Sequence, residues 1–162
     1  HQLPILFICE NNLYSVYSGL EKRQPIGRKI YKLAQSIGVS SHYGDGNDAI
    51  EAYGLIREAI DSIRAGNGPR FIEFSTYRWR EHCGPNFDND IGYRTEKEFI
   101  EWKMKDPISI FQNKLEDNNY IDSSDLAEIN LKIEGEIIAA FKFAKYSKFP
   151  DPSLFASYTY CS

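Results

Sequence analysis

Apolar and polar positions alternate along this chain in blocks that switch between strand and helix periods. The run Pro4-Ile5-Leu6-Phe7-Ile8-Cys9 is short, continuous and apolar, and it stops at Glu10-Asn11-Asn12. That pattern predicts a fully buried strand over residues 4–10. A Gly-, Ser- and Lys/Arg-rich loop follows as far as Pro25. Ile26, Ile30, Leu33, Ala34 and Ile37 then recur at helical spacing, and Gly38 stands where a left-handed cap stops a helix. Val39–Tyr43 reads as a second strand, closed by the turn Gly44-Asp45-Gly46-Asn47-Asp48.

Asp48 is placed to cap a helix with Ala49, Ala52, Tyr53, Ile56, Ile60 and Ile63 on one face and Gly66 past its end. Arg70–Tyr77 is a third β-type run. Strand, helix, strand, helix, strand calls for an α/β fold with a parallel sheet and right-handed crossovers. Functional loops in such sheets lie at the carboxyl ends of the strands. Glu10-Asn11-Asn12 and the stretch around His82 both fall at that edge, so they can share one site.

Arg80–Arg94 is a long polar loop, of a length that in a compact domain is functional or disordered. Its aromatic and Arg content favours order. Helices are predicted from about Glu96 to Lys105, from near Pro107, and over a longest, last segment with Leu126, Ile129, Ile133, Ile137, Phe141 and Ala144 one turn apart. The tail Pro150-Asp151-Pro152-Ser153-Leu154-Phe155 reads as extended, with aromatics able to dock. There is no internal repeat and no low-complexity segment.

Composition narrows the function classes. With 162 residues, 42% hydrophobic and 26% charged, the chain is of a soluble globular type with room for one α/β domain. A formal charge of −4 gives no basic footprint, which argues against nucleic acid and anionic membrane as partners. The acidic residues from Glu116 to Glu136 are spread along a helical pattern and form a solvated face. Cys9, Cys83 and Cys161 are widely spaced, without a Cys-x-x-Cys pair, so a reducing compartment and a cytoplasmic location are expected. The first apolar run is too short for a signal-peptide core or a membrane span. The chain begins with His1, in what reads as an interior strand, and its single methionine is Met104, which suggests truncation.

Few residues could carry chemistry. Asn11-Asn12 after a strand is an ordinary turn sequence, or a place where a carboxamide oxygen and a backbone carbonyl ligate a hard cation such as magnesium. A loop histidine is commonly a surface residue. His82, beside Arg78 and Arg80 at the predicted catalytic edge, also suits an imidazole that binds a diphosphate oxygen or moves a proton. His42 lacks such a setting. Cys83 beside His82 does not make a hydrolase, because neighbours in a chain rarely aim at each other and no orienting group is evident. No Gly-rich phosphate loop follows a strand, which argues against a generic nucleotide-binding domain.

Several ordered blocks together resemble one family. Leu3–Tyr14, Asp45-Gly46-Asn47-Asp48, Thr76-Tyr77-Arg78-Trp79-Arg80-Glu81-His82, Gly92-Tyr93-Arg94-Thr95, Asp106-Pro107-Ile108 and the Pro-Asp-Pro…Leu-Phe tail are similar to segments of α subunits of thiamine-diphosphate-dependent 2-oxo acid dehydrogenases, the pyruvate, branched-chain and acetoin enzymes. The resemblance covers essentially the whole chain, as the carboxy-terminal half of such a subunit. It implies the parallel-sheet thiamine-diphosphate-binding fold in part, with a carboxy-terminal helical tail. Residues 1–94 would be the second half of the diphosphate-binding domain and 95–162 its helical extension.

The resemblance implies thiamine diphosphate and Mg2+ as cofactors, with Asn12 a magnesium ligand through its side chain and Tyr14 through its backbone carbonyl. His82 falls on the active-site histidine, near the cofactor diphosphate, and Arg78 on a cofactor-side position. Arg78, Tyr93 and Arg94 fall on residues that order the active-site loop, with Asp88 or Asp90 as acidic partner. Cys83 stands where animal enzymes carry a phosphorylated serine, and the loop from His82 to Tyr93 is slightly longer than the family's.

The family's Gly-Asp-Gly, which supplies an anionic magnesium ligand, precedes its Asn-Asn pair. Gly44-Asp45-Gly46 follows Asn11-Asn12 and is read as a turn instead. The implied reaction is oxidative decarboxylation of a pyruvate-like 2-oxo acid with a β subunit in an α₂β₂ assembly, and a lipoyl-bearing acyltransferase is a further partner the family admits. The β subunit would hold the aminopyrimidine end of the cofactor, so this chain alone is expected to be inactive. The alternatives are an acetoin-type subunit and a truncated, non-catalytic interaction domain of the same fold.

Overall fold

The computed structural model of the chain describes residues 1–155; Cys161 lies outside the described residues. Strands β1 (Leu6–Asn11), β4 (Ser40–Asp45) and β5 (Arg70–Ser75) form a three-stranded sheet in the order β1-β5-β4, parallel throughout. A small antiparallel pair, β2 (Tyr14–Ser15) with β3 (Ser18–Gly19), follows β1 directly. The α/β reading with a parallel sheet therefore holds. β5 takes the centre because its Arg-Phe-Ile-Glu-Phe-Ser run is rich in residues that suit a pleated surface covered on both sides. Ile72 is 0% and Phe74 4% exposed, and they pack with Ala59 and the partly buried Leu6, Ala52, Leu55 and Ile56. Burying each of the larger of these side chains contributes about 1.5–3 kcal/mol.

The expectation of a fully buried first strand is corrected. Among the described residues β1 pairs with β5 alone and stands at the edge of the sheet, with Phe7 and Ile8 each 48% exposed. An apolar run specifies a strand, but whether both faces are covered depends on neighbours that the run does not encode.

Helix α1 (Ile30–Ser36) is shorter than its apolar spacing predicts. Pro25–Arg28 forms a turn instead, closed by Arg28 N–H donating to the Pro25 carbonyl at 3.1 Å, with Gly27 at φ 78° and Ile26 left in solvent. Helix α2 (Ala49–Arg64) begins as expected, because the Asp48 carboxylate accepts from the amides of Ile50 and Glu51. Its buried stripe is rotated from the expected one. Leu55 and Ala59 join Ala52 and Ile56 against the sheet, whereas Tyr53 is largely exposed. Apolar residues occur on more than one side of this helix, and the small Ala59 allows the close approach.

Helices α3 (Glu96–Lys103) and α4 (Pro107–Asp117) follow, and α5 (Ser123–Tyr146) is the longest. Chain contacts divide the molecule into two compact units, His1–Leu115 and Glu116–Ser162. In the first, Lys114 of α4 donates to the Asp48 carboxylate at 2.7 Å, and this bond, with the α2 amides, holds the Asp48 carboxyl below the usual carboxylate range. In the second, Asp122 and Asp125 form a reciprocal capping box at the start of α5. The tail is not extended throughout. Asp151 accepts from Ser153 N–H and starts a 3-10 turn over Pro152–Leu154. Among the described residues, no helix is long and apolar enough to cross a membrane.

Candidate functional site

Register brings the carboxyl ends of the three parallel strands level. Asn11 pairs with Ser75, and Asp45 pairs with the same Ser75 from the other side. Three loops therefore leave one edge together: Asn12–Ser15, Thr76–His82 and Gly46–Asp48. The first two are joined at their roots, since Thr76 N–H donates to the Asn11 carbonyl at 3.0 Å.

The first loop is built from two successive turns closed by asparagine side chains. Asn11 Oδ1 accepts from Leu13 N–H at 3.1 Å, and Asn12 Oδ1 accepts from Tyr14 N–H at 3.0 Å. Leu13 at φ 68° and Val16 at φ 56° take left-handed backbone conformations, which non-glycine residues adopt uncommonly. Asn12 Oδ1 retains a second lone pair beyond its bond to Tyr14. The Asn12 carboxamide oxygen and the Tyr14 backbone carbonyl are neutral hard donors of the kind magnesium accepts when phosphate and carboxylate supply the charge. Among the described residues, no group of three or more His, Cys, Asp or Glu side chains gathers in a metal-binding arrangement. The donor set fits part of a magnesium shell, not a whole one.

The Tyr14 hydroxyl donates to Glu98 of α3 at 2.6 Å. Burial, reinforced by that carboxylate, pushes the Tyr14 phenol well above its ordinary value. Tyr14 meets Tyr93 edge-on at 5.2 Å and Tyr77 at 6.3 Å, and Tyr77 stacks on Trp102 at 5.2 Å. Burial, opposed by the neighbouring Arg94 charge, pushes Tyr77 up to about 12. These phenols are neutral near pH 7 and serve as rings and donors.

The second loop has a rigid base. Arg94 and Asp88 form a buried ion pair at 2.5 Å, their side chains 0% and 5% exposed. Arg94 also donates to the backbone carbonyls of Arg78 and Trp79, and its guanidinium lies 5.3 Å from the Tyr77 and Tyr93 ring centres. The Tyr93 hydroxyl donates to Asp88 at 2.9 Å and accepts from Arg78 at 2.9 Å. Of the two acidic candidates, Asp88 makes the contact with Arg94. Arg78 Nη2 reaches across to the Val16 carbonyl at 2.8 Å, which ties the second loop to the first. Neither Arg78 bond uses Nη1.

His82 sits at the tip of this loop. Glu81 N–H donates to the Asn86 carbonyl at 2.9 Å, and Asn86 Nδ2 donates back to the Glu81 carboxylate at 2.9 Å. The intervening His82-Cys83-Gly84-Pro85 is pinched into a short excursion, with His82 and Cys83 exposed. Arg80 braces it by donating to the Pro85 carbonyl and lying 4.0 Å over the Phe87 ring. Cys9, near the root of the first loop, has its thiol pushed up by burial and by Glu73 and Glu10, which disfavours the thiolate.

Asp45 behaves as a turn residue. Its carboxylate accepts from both the backbone and the side-chain amide of Asn47, at 2.9 and 2.7 Å. Glu98, which accepts from the Tyr14 hydroxyl, and Glu73 escaped the sequence reading. Glu73 in the middle of β5 is 2% exposed and accepts from Asn11 at the root of the first loop. A lone acid inside Phe-Ile-Glu-Phe is the signal that could have marked it, because a buried carboxylate requires donors.

A family model described as the dehydrogenase E1 component matches residues 1–153. A protein from Rickettsia felis named pyruvate dehydrogenase E1 component subunit alpha is 31% identical over 159 residues, covering 98% of this chain and 48% of its own length. One of the same name from Staphylococcus aureus is 32% identical over 144 residues, covering 89% of this chain and 38% of its own length. The chain spans about half the length of the Rickettsia relatives it matches.

Proposed function

This chain belongs to the dehydrogenase E1 component family, and from that premise we propose that it forms part of the α subunit of a thiamine-diphosphate-dependent dehydrogenase acting on pyruvate or a close 2-oxo acid. The observation that carries the reading is the shared sheet edge. The Asn12–Tyr14 turn and the Arg78–His82 loop leave it side by side and are bonded to each other through Thr76–Asn11 and Arg78–Val16. The names of the relatives favour pyruvate over acetoin.

In this reading the Asn12 side chain and the Tyr14 carbonyl would be the residues that hold magnesium, whose charge would help bind the cofactor diphosphate. Bound thiamine diphosphate supplies the electron sink for loss of carbon dioxide from the substrate. His82 would hydrogen-bond on the diphosphate side of the cofactor or move a proton there. Arg78 holds the two loops in register and leaves Nη1 for an anionic oxygen. A β subunit completes the site in an α₂β₂ assembly. The wide cysteine spacing supports a reducing, cytoplasmic setting.

The test is to co-express the full α subunit with its β partner and assay pyruvate-dependent reduction of an artificial electron acceptor. His82→Ala is expected to lower turnover by about 10²–10⁴-fold, the usual worth of a positioned acid or base. Unchanged turnover would remove His82 from the mechanism.

A further inference from the structure

We propose that Glu73 is the positioning residue of the cation-binding turn, fixing by its acceptor-only chemistry which way the Asn11 amide faces and so the path of Asn12 and Tyr14. The inference rests on the reading of Asn12 and Tyr14 as magnesium ligands.

Glu73 lies mid-strand in the central β5, with Cys9 on one side and Tyr43 on the other. Its two carboxylate oxygens have separate tasks. Oε1 accepts from Asn11 Nδ2 at 2.7 Å, and Oε2 accepts from the backbone N–H of Tyr31 at 2.8 Å. Tyr31 is in the first turn of α1, whose own N-cap residue, Lys29, supplies no side-chain acceptor. A buried carboxylate from the sheet thus takes the place of the missing cap and at the same time grips the end of β1.

Direction is what makes this more than packing. An asparagine amide has one accepting and one donating end, and a carboxylate only accepts. Facing Glu73, Asn11 must present Nδ2, so its Oδ1 turns toward Leu13 N–H and closes the first turn. That turn carries Leu13 through its left-handed conformation and delivers Asn12 to the second turn. Reverse the amide and an acceptor faces an acceptor at Glu73 while a donor faces the Leu13 amide. Partners that orient metal ligands in this way are typically worth about 10- to 100-fold in metal affinity.

The structure predicts a specific rescue. Glu73→Gln puts a second amide where both partners are donors, so one bond is lost. Asn11→Asp sets two carboxylates against each other. Combined, E73Q and N11D restore every direction: the new amide donates to the new carboxylate and accepts from Tyr31 N–H, and the carboxylate's second oxygen accepts from Leu13 N–H.

The experiment titrates magnesium chloride calorimetrically into the complete α–β assembly at saturating thiamine diphosphate, for wild type, E73Q, N11D, the double variant and N12A. Each single variant at 73 or 11 is expected to weaken magnesium binding by about 10- to 100-fold, and the double variant to return to within about threefold of wild type, a margin small beside the single-variant losses. Should E73Q fail to fold, recovery of N11D by the second substitution carries the test. Wild-type affinity in E73Q, or a double variant no better than its parents, overturns the proposal. Undiminished binding in N12A overturns the magnesium reading itself, and the two failures are thereby told apart.

Discussion

The Asn11–Tyr14 turn and the 78–94 segment leave the same sheet edge, yet they are held in different ways. The first is short and is fixed along its length by side chains that bond within it, each asparagine closing a turn two residues on. The second is long and is fixed most firmly at its base, where Arg94, Asp88, Tyr93 and Arg78 form one network. Its tip, with His82, is exposed and braced by a few bonds from Arg80, Glu81 and Asn86. On the proposed reading, the first turn would hold a metal ligand, which must be placed closely, whereas the tip of the second would carry a group that meets a substrate arriving and leaving. The contrast in anchoring matches those two demands.

The contrast can be broken most forcefully at the base. Arg94→Met leaves Asp88 as an uncompensated buried charge and removes the donors that hold the Arg78 and Trp79 carbonyls, so chemical denaturation should record a loss of about 3–5 kcal/mol. Tyr93→Phe keeps the ring against Tyr14 and removes one hydroxyl that both donates and accepts. Its cost should be about 1–3 kcal/mol, from an Asp88 oxygen and an Arg78 donor left unmet. Asn86→Ala opens the pinch behind His82, where the lost bonds are exposed, and should cost about 0.5–1.5 kcal/mol in the same assay. His82→Ala should change stability by less than about 0.5 kcal/mol, because that side chain is exposed. A large stability loss in the last variant would erase the distinction between base and tip.

Much of the scaffold was legible from spacing alone. The three strand runs, the Asp48 cap and the order of helices follow from local chemistry: apolar continuity, turn residues and capping side chains act within a few residues of themselves. The extent of α1 was not legible, because Ile26 fits the helical spacing while Gly27 and Pro25 turn the backbone away. Nor was the buried stripe of α2, where apolar residues surround the helix and the sheet chose Leu55 and Ala59 over Tyr53. At the site, the motif blocks marked Asn12, Tyr14, Arg78 and His82 by resemblance. The choice of Asp88 over Asp90, and the whole of Glu73, required the fold.

By itself the sequence determined the parallel α/β scaffold, the family, and the two polar loops at the carboxyl edge, since each is written in contiguous residues. Only the tertiary structure decided which groups meet across long separations: Glu73 with Asn11, Tyr14 with Glu98, Arg78 with Val16. Hydrogen bonds have direction and reach of about 3 Å, so a chain can name its donors and acceptors long before folding settles which of them face each other.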